Sequence, residues 1–289
     1  MSDTRVYNYV SYKPHGMEDI AEIATILSNG WVFRGQSNSS WNISSSLERE
    51  ANRHGNRHIQ KVERQTLKEI KQNSSVDLGH KLKATDDFSW LALLQHYGCN
   101  TRLVDFTESF DIALFFAVNE LRENHSAVWA ISKRPLDDAI VTMLKLTENT
   151  LTEDGIKEML VNKSLTSAAG DMDSEQPFVI HGKPKESNDR LVAQQGLFLC
   201  PLQINSTFME NITKALHLTG KKEPVPQLSC LEDLKSISKQ NAIIKFVICK
   251  DLQRSILCYL KTKNITEATL FPGLDGFARS LNYYTTGLE

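Results

Sequence analysis

The chain of 289 residues lacks the patterns that mark a disulfide framework, a membrane span or a strong charge of one sign. Its five cysteines are an odd number without a C-x-x-C pair, which favours reduced thiols. No apolar run approaches the length of a membrane-spanning helix, and the N-terminus has no apolar signal segment. The formal net charge of −2 excludes a global basic field for nucleic acid. We therefore expect a cytoplasmic globular protein with no membrane partner.

The standard enzyme signatures are missing as well. The chain contains no P-loop, no G-x-G-x-x-G after a predicted strand, no H-E-x-x-H and no G-x-S-x-G. His54 and His58 in "HGNRH" resemble a metal pair at helical spacing, but the pattern lacks neighbouring ligands that would complete a site. We expect no metal, so any chemistry must come from polar clusters outside these motifs.

Hydrophobic periodicity predicts helices that alternate with short strands, the pattern of an α+β protein with a mixed sheet. The charged stretch 45–71 predicts a long surface helix, broken or bent near Gly55, and its interleaved acids favour a solvated face. Thr85 is the predicted N-cap of the helix that follows. Two strand-like runs are predicted around Gln194 and Gln195.

The composition also suggests a division into domains. We expect an N-terminal helical segment at residues 1–30 and one domain at residues 31–289. Residues 135–175 combine amphipathic helix with an acidic loop and contain few aromatic residues. This stretch is typical of a helical insertion on a core that resumes at "PFVIHGK".

The first polar cluster follows the apolar run "WVF". Arg34 ends this predicted strand and Gly35 and Gln36 come next, which leaves room beside the guanidinium for a phosphate or diphosphate. The alternative is structural, with Arg34 in a salt bridge to a core carboxylate such as Asp105. The pattern by itself leaves both interpretations open.

The second polar cluster joins a predicted helix, a strand and a second helix. His96 ends the first helix, and Arg102, Asp105, Thr107 and Ser109 follow it. Part of this cluster is predicted to be structural, because Ser109 is a good N-cap and Asp105 can fix an arginine in a buried ion pair. The other hydrogen-bonding groups beside "IALFFAV" need partners, and a polar ligand is a natural candidate.

The third cluster is the pair Gln194 and Gln195 before an apolar strand. Adjacent residues of a strand point to opposite faces, so one glutamine is expected to face a cleft. Glutamine cannot serve as a base, but its amide can hold a ribose hydroxyl or orient a nucleophile.

Four segments together resemble the FRG domain family: "FRGQS", "LLQHYGCNTRLVDFTESFDIALFFA", "NDRLVAQQGLFL" and "ITEATLFPGLDGFARSL". This family is named for its Phe-Arg-Gly motif and occurs widely in bacterial and phage-related proteins. The resemblance spans nearly the whole chain from about Trp31. Family members usually have proline after the "HYG" glycine and the motif "DWT", where this chain has Cys99 and Phe106.

The order of the clusters is similar to that in ADP-ribosyltransferases. There an arginine at the end of the first strand binds the phosphates of NAD, a Ser/Thr strand and an apolar helix build the nicotinamide side, and a later Glu or Gln meets the nicotinamide ribose. This resemblance implies a split, twisted mixed sheet of ADP-ribosyltransferase type decorated with helices. It implies that NAD, as a substrate, is bound by Arg34, Gly35, Gln36, His96, Arg102 and Ser109. It implies that the catalytic residues are Gln195, Gln194, Thr107 and Asp105.

The expected activity is the transfer of ADP-ribose from NAD to a macromolecule, with release of nicotinamide. RNA is the expected acceptor, because a glutamine amide can hydrogen-bond the edge of a base. The occurrence of FRG proteins near phage-defence genes implies a toxin that is held by an antitoxin protein. The competing hypothesis is a non-enzymatic module that binds a nucleotide or a protein tail through Arg34. The missing glutamate in the third cluster favours that module, whereas the combination of histidine, arginine, aspartate and hydroxyls favours an enzyme.

Overall fold

The computed structural model describes residues 9–55, 58–73, 84, 86–148, 150–166, 178–186, 188–218, 227–240 and 242–281. Their strands are β1 (Val10–Tyr12), β2 (Trp31–Gln36), β3 (Val104–Thr107), β4 (Ser126–Ser132), β5 (Val179–Gly182), β6 (Gly196–Pro201) and β7 (Ile243–Ile248). Their helices are α1 (Met17–Ile26), α2 (Ser46–His54), α3 (Ile59–Asn73), α4 (Asp87–His96), α5 (Phe110–Val118), α6 (Arg134–Leu146), α7 (Glu153–Thr166), α8 (Asp189–Ala193), α9 (Phe208–Ala215), α10 (Leu231–Ile237), α11 (Gln253–Thr262), α12 (Glu267–Leu270) and α13 (Leu274–Ser280).

The strands form one mixed sheet in the order β1-β7-β4-β2-β3-β6-β5, which confirms the predicted α+β class. β1 runs parallel to β7, and the other neighbours are antiparallel. β2 pairs with β4 along its whole length, and β3 pairs in the same way with β6. β2 and β3 pair with each other only at Phe33 and Thr107. The sheet therefore has two halves that are joined at one residue pair and separate beside it.

Helices cover both faces of the sheet. On one face α1, α5 and α11 pack against β2, β4 and β7 and bury Ile23, Phe115 and Leu260 completely. Apart from Asp111 in its first turn, α5 is apolar around its circumference, as expected for a helix that is buried in the core. On the opposite face α9 contributes the buried Ile212. A third cluster packs α4 and α7 against β5 and β6 and includes the buried Leu160.

The ends of the helices follow local capping rules. Gly55, with φ of 62°, ends α2 in the left-handed region, so the break predicted there is confirmed. Asp86 is the N-cap of α4, because its side chain accepts the Ser89 N–H at 2.8 Å, and the predicted cap Thr85 lies outside the described residues. The first of the two strand-like runs is the short helix α8, which the Asn188 side chain caps at Leu191 N. A run of only five residues is compatible with either structure, and the cap decides for helix.

The segments set apart by composition are packed into this architecture. β1 extends the sheet through β7, and α1 buries Ile20 and Ile23 in the shared core. The predicted insertion is helical as α6 and α7, with its residues 167–175 outside the described part of the chain. It is not peripheral, however, because Ile156 and Leu165 of α7 are core residues. No helix among the described residues is both long and apolar enough to cross a membrane.

Candidate functional site

A cavity of about 1130 Å³ opens where β2 and β3 separate. Both strands line it, together with the loop after β2, the first turns of α2, the end of α4 and the segment that contains α8. Seven of the ten predicted site residues line this cavity, among them Arg34, Gly35, Gln36, His96, Asp105 and Thr107. Gln194 lines it as well, whereas Arg102, Ser109 and Gln195 do not.

Arg34 and Asp105 lie opposite each other across the separation of the strands. Nη1 of Arg34 donates to the backbone oxygen of Asp105 at 2.7 Å and lies 3.7 Å from its carboxylate. The Arg34 side chain is 20% exposed and that of Asp105 66% exposed, so Asp105 is not the core carboxylate considered above. Burial lowers the pKa of Arg34, Asp105 raises it and Arg49 lowers it. A guanidinium stays charged at neutral pH despite such shifts.

Most N–H donors of the Arg34 guanidinium have no acceptor among the described residues. Its only hydrogen bond among the described residues is the one to Asp105 O, and its buried Nε has no acceptor. A guanidinium carries five N–H donors, and buried donors without partners are rare in folded proteins. Arg34 can therefore pair with Asp105 and bind a ligand at the same time, because the pairing leaves most N–H donors of the guanidinium without an acceptor among the described residues.

Gly35 is required for packing rather than for the approach of a ligand. A Cβ at this position would lie 2.0 Å from Ala113 O and 2.6 Å from Ala117 N, both in the backbone of α5. Phe33 points to the same face and packs edge-on against Phe110, with ring centroids 5.6 Å apart. The alternation of β2 therefore gives the Phe-Arg-Gly motif two faces, with Phe33 and Gly35 against α5 and Arg34 toward Asp105.

Gln36 braces the wall of the cavity. Its Oε1 accepts the indole N–H of Trp129 at 2.7 Å, and its Nε2 donates to Asn42 O at 3.2 Å. Trp129 is completely buried, so this contact ties the loop after β2 to the core. These bonds engage both the oxygen and the nitrogen of the Gln36 amide. We therefore assign to Gln36 the positioning of the loop after β2 rather than the predicted contact with a ligand.

His96 lies at the rim, at the last residue of α4. Its ring approaches the Asn188 side chain at 3.4 Å and packs edge-on against Tyr97. Asn188 caps α8 at the same time. His96 therefore connects two elements of the rim and stays exposed to the cavity.

Thr107, Ser109 and Gln194 form one hydrogen-bonded turn beside the cavity. The Thr107 hydroxyl donates to Gln194 O at 2.8 Å and accepts the Ser109 N–H at 3.1 Å. The Ser109 side chain caps α5 at Ile112 N, so the structural interpretation of Ser109 is the one the structure bears out. The prediction that Ser109 belongs to the cavity is wrong, because its hydroxyl caps α5 and does not line the cavity.

Of the two glutamines, the structure puts Gln194 at the cavity, in contrast to the predicted order. Gln195 has φ of 45° and is exposed. Both residues lie in a turn between α8 and β6, so strand alternation does not apply to them. The Gln194 Nε2 donates to Leu270 O at 3.0 Å, which fixes the amide at the cavity.

Arg102 is a structural residue that does not line the cavity. Its Nε donates to Glu63 Oε2 at 2.8 Å, and its Nη2 pairs with the same carboxylate. Its Nη1 donates to Ser164 Oγ at 2.9 Å and to Pro201 O at 3.3 Å. The side chains of Arg102 and Glu63 are each 1% exposed. The prediction that Arg102 binds a ligand is therefore wrong, since its donors are occupied in the core.

The cavity lining includes charged and aromatic residues that the sequence did not single out as site residues, among them Trp41, Glu48, Arg49, Tyr97 and Arg190. Arg49 and Glu48 belong to the charged stretch interpreted as a solvated face, because interleaved charges hide which residues turn inward. Arg190 stands in "NDRLVAQQGLFL", where the strand interpretation obscured it. Its guanidinium carbon lies 4.7 Å from the centre of the Phe271 ring.

Comparison with known proteins gives one match. The family model of the FRG domain matches residues 29–126, which cover β2, the loop after it, α2 to α5 and the first residue of β4. Neither the curated proteins nor the solved structures give a significant match. Most of the residues that line the cavity lie within the matched range, while Arg190 and Gln194 lie beyond it. Residues 29–126 are therefore similar to the FRG domain.

Proposed function

We propose that this protein is an NAD-dependent ADP-ribosyltransferase that transfers ADP-ribose to RNA and releases nicotinamide. The observation that carries the proposal is Arg34, a largely buried guanidinium with one hydrogen bond, at a cavity between two separating strands. Such a group binds phosphate oxygens through paired charge-assisted hydrogen bonds. The diphosphate of NAD is the partner that we assign to it.

The shape of the site supports a dinucleotide ligand. Ligand cavities usually measure about 300–1000 Å³, so 1130 Å³ leaves space for a dinucleotide and part of an acceptor. The two halves of the sheet meet at one residue pair beside the cavity, which agrees with a split sheet of ADP-ribosyltransferase type. We assign the fold to that type on this ground.

The turn that holds Gln194 supports the assignment of the nicotinamide ribose to this end of the cavity. Nε2 of Gln194 is engaged with Leu270 O, while its Oε1 has no hydrogen bond among the described residues. That oxygen is therefore able to accept a ribose hydroxyl, and the fixed amide loses little freedom on binding. Thr107 holds the backbone of the same residue in place.

Two exposed aromatic side chains support a nucleobase acceptor. Trp41 is 47% exposed and Tyr97 is 75% exposed, and both line the cavity. Unpaired bases of RNA stack on such aromatic side chains, and each stacked base contributes about 1–3 kcal/mol. A toxin in phage defence, restrained by an antitoxin protein, is the setting that we propose for this activity, and it follows from the family resemblance.

The experiment combines radiolabelled NAD with purified protein and, separately, with RNA, DNA and protein extract. Release of nicotinamide is followed by chromatography, and transfer by label that resists protease and is lost on treatment with ribonuclease. We expect Arg34→Gln to lower the affinity for NAD about tenfold or more, because one charge-assisted contact is worth about 1.5–3 kcal/mol. The matched control is Arg53→Gln, since Arg53 is 71% exposed and pairs with Glu50 on the outside of α2.

The outcomes separate the two functional hypotheses. Labelled RNA with wild type and Arg53→Gln, and little with Arg34→Gln, would support the transferase. Binding of NAD by calorimetry without release of nicotinamide would replace it by the binding module. An enzyme that labels only protein would retain the activity and refute RNA as the acceptor.

A further inference from the structure

Glu48 occupies an anchored position on the wall of the cavity. It lies in the first turn of α2, and its backbone N–H donates to Ser45 Oγ at 3.0 Å. The neighbouring Leu47 N–H donates to Thr101 O at 3.2 Å, which ties this turn to the loop before β3. The side chain of Glu48 lines the cavity together with Arg34 and Asp105. Glu48 is therefore a carboxylate held in place at the ligand site.

The carboxylate of Glu48 has one oxygen engaged and one available. Oε2 accepts the backbone N–H of Phe208, at the start of α9, at 3.1 Å. Among the described residues Oε1 accepts no hydrogen bond of ordinary geometry, although the Ser45 backbone lies close enough to act on the carboxylate, and no lysine or arginine forms an ion pair with it. A carboxylate at a cavity without a cationic partner is unusual, because a structural carboxylate normally has its lone pairs satisfied.

The surroundings of Glu48 favour its protonated form more than water does. Burial raises the pKa of Glu48, whereas the backbone N–H groups of Phe208 and Ser45 lower it. Among the charged groups, Glu210 on α9 raises the pKa and Arg49 on α2 lowers it. The net effect is a raised pKa, which brings the group closer to the value at which a carboxylate exchanges protons efficiently near neutral pH.

We propose that Glu48 is the general base that activates the acceptor in the transfer reaction. This role rests on the proposed function. The acceptor hydroxyl or amine attacks C1′ of the nicotinamide ribose, and its proton passes to Oε1 of Glu48. The bond between C1′ and the nicotinamide nitrogen breaks, and its electron pair leaves with neutral nicotinamide. Gln194 cannot take this proton, so Glu48 supplies the acid–base group that the turn beside β3 lacks.

The variant Glu48→Gln separates this role from a structural one. Its amide oxygen can still accept the Phe208 N–H, so α2 and α9 stay joined, and a thermal melt checks this. The matched control is Glu50→Gln, because Glu50 lies on the same helix and pairs with Arg53 and His54 away from the cavity. Nicotinamide release, label transfer and the affinity for NAD are measured for wild type and both variants across pH 5–9 (about two units either side of neutrality).

We expect Glu48→Gln to lower transfer about 100-fold or more, the usual contribution of general base catalysis, with NAD affinity within about twofold of wild type. The fall in rate at acidic pH should be present in wild type and Glu50→Gln and absent from the residual activity of Glu48→Gln. Unchanged transfer by Glu48→Gln would overturn the role of Glu48 alone, and so would an equal loss of NAD affinity. If wild type neither binds nor consumes NAD, the proposed function fails and the role of Glu48 fails with it.

Discussion

Replacement of Arg102 by methionine tests whether this arginine stabilises the core or binds a ligand. The substitution removes the hydrogen bonds to Glu63, Ser164 and Pro201 and leaves a carboxylate that is 1% exposed without its counter-charge. Removal of one member of a buried ion pair costs about 3–5 kcal/mol. We expect Arg102→Met to lower the free energy of unfolding by that amount, measured by urea denaturation at 25 °C.

Two further variants make the test of Arg102 decisive. Glu63 Oε1 also accepts the backbone N–H of residue 102 at 3.3 Å. The double variant Arg102→Met/Glu63→Gln removes the buried charge and keeps that acceptor, so it should regain most of the lost stability. Arg53→Met on the exposed side of α2 should change stability by less than about 1 kcal/mol. If Arg102→Met unfolds within about 1 kcal/mol of wild type and loses affinity for NAD instead, the structural assignment of Arg102 is refuted.

Three other expectations concern packing, the cavity turn and a buried lysine. Gly35→Ala should lower the free energy of unfolding by about 1–3 kcal/mol or more in urea denaturation, because the new methyl group meets the backbone of α5; a denaturation curve like that of wild type would refute the packing role. Gln194→Ala should lower nicotinamide release about tenfold or more while Gln195→Ala has little effect, and the reverse result would restore the order inferred from sequence. Burial lowers the pKa of Lys245 to about 8, against about 10.4 in the unfolded chain. The charged lysine therefore lowers the free energy of unfolding below pH 8, and this loss of stability disappears as the pH rises from about 8 to about 10.4. Lys245→Met should therefore melt above wild type at pH 7, with a difference that shrinks by pH 10.5, and a constant difference would contradict this.

Local signals predicted much of the secondary structure correctly. Ser109 as an N-cap, the break at Gly55 and the buried helix α5 are all present in the structure. Each depends on residues within a few positions of one another, such as the bond from Ile112 N to Ser109 Oγ. The segment of α8 differs from prediction because a run of only five residues is compatible with a helix or with a short strand.

The candidate site was predictable in part for the same reason. The segments that carry Arg34, His96, Asp105 and Gln194 were selected because polar residues adjoin apolar elements, and the structure gathers all four at one cavity. The missed Glu48 lies in a charged helix, where sequence does not show which charges turn inward.

The sequence by itself determined the strands β2, β3, β4, β6 and β7, several helices and the presence of an FRG motif, since these depend on periodicity and on contacts between near neighbours. Only the tertiary structure decided the roles of Arg34 and Arg102, which look alike in sequence because each adjoins a short strand in a polar cluster. Arg102 pairs with Glu63, a residue 39 positions earlier, and its donors are engaged in the core. Arg34 donates to Asp105, 71 positions later, at the point where β2 and β3 separate. Its other N–H donors have no hydrogen-bond partner among the described residues. Hydrogen-bond energy depends on distance in space, and the fold brings together partners whose separation along the chain gives no sign of it.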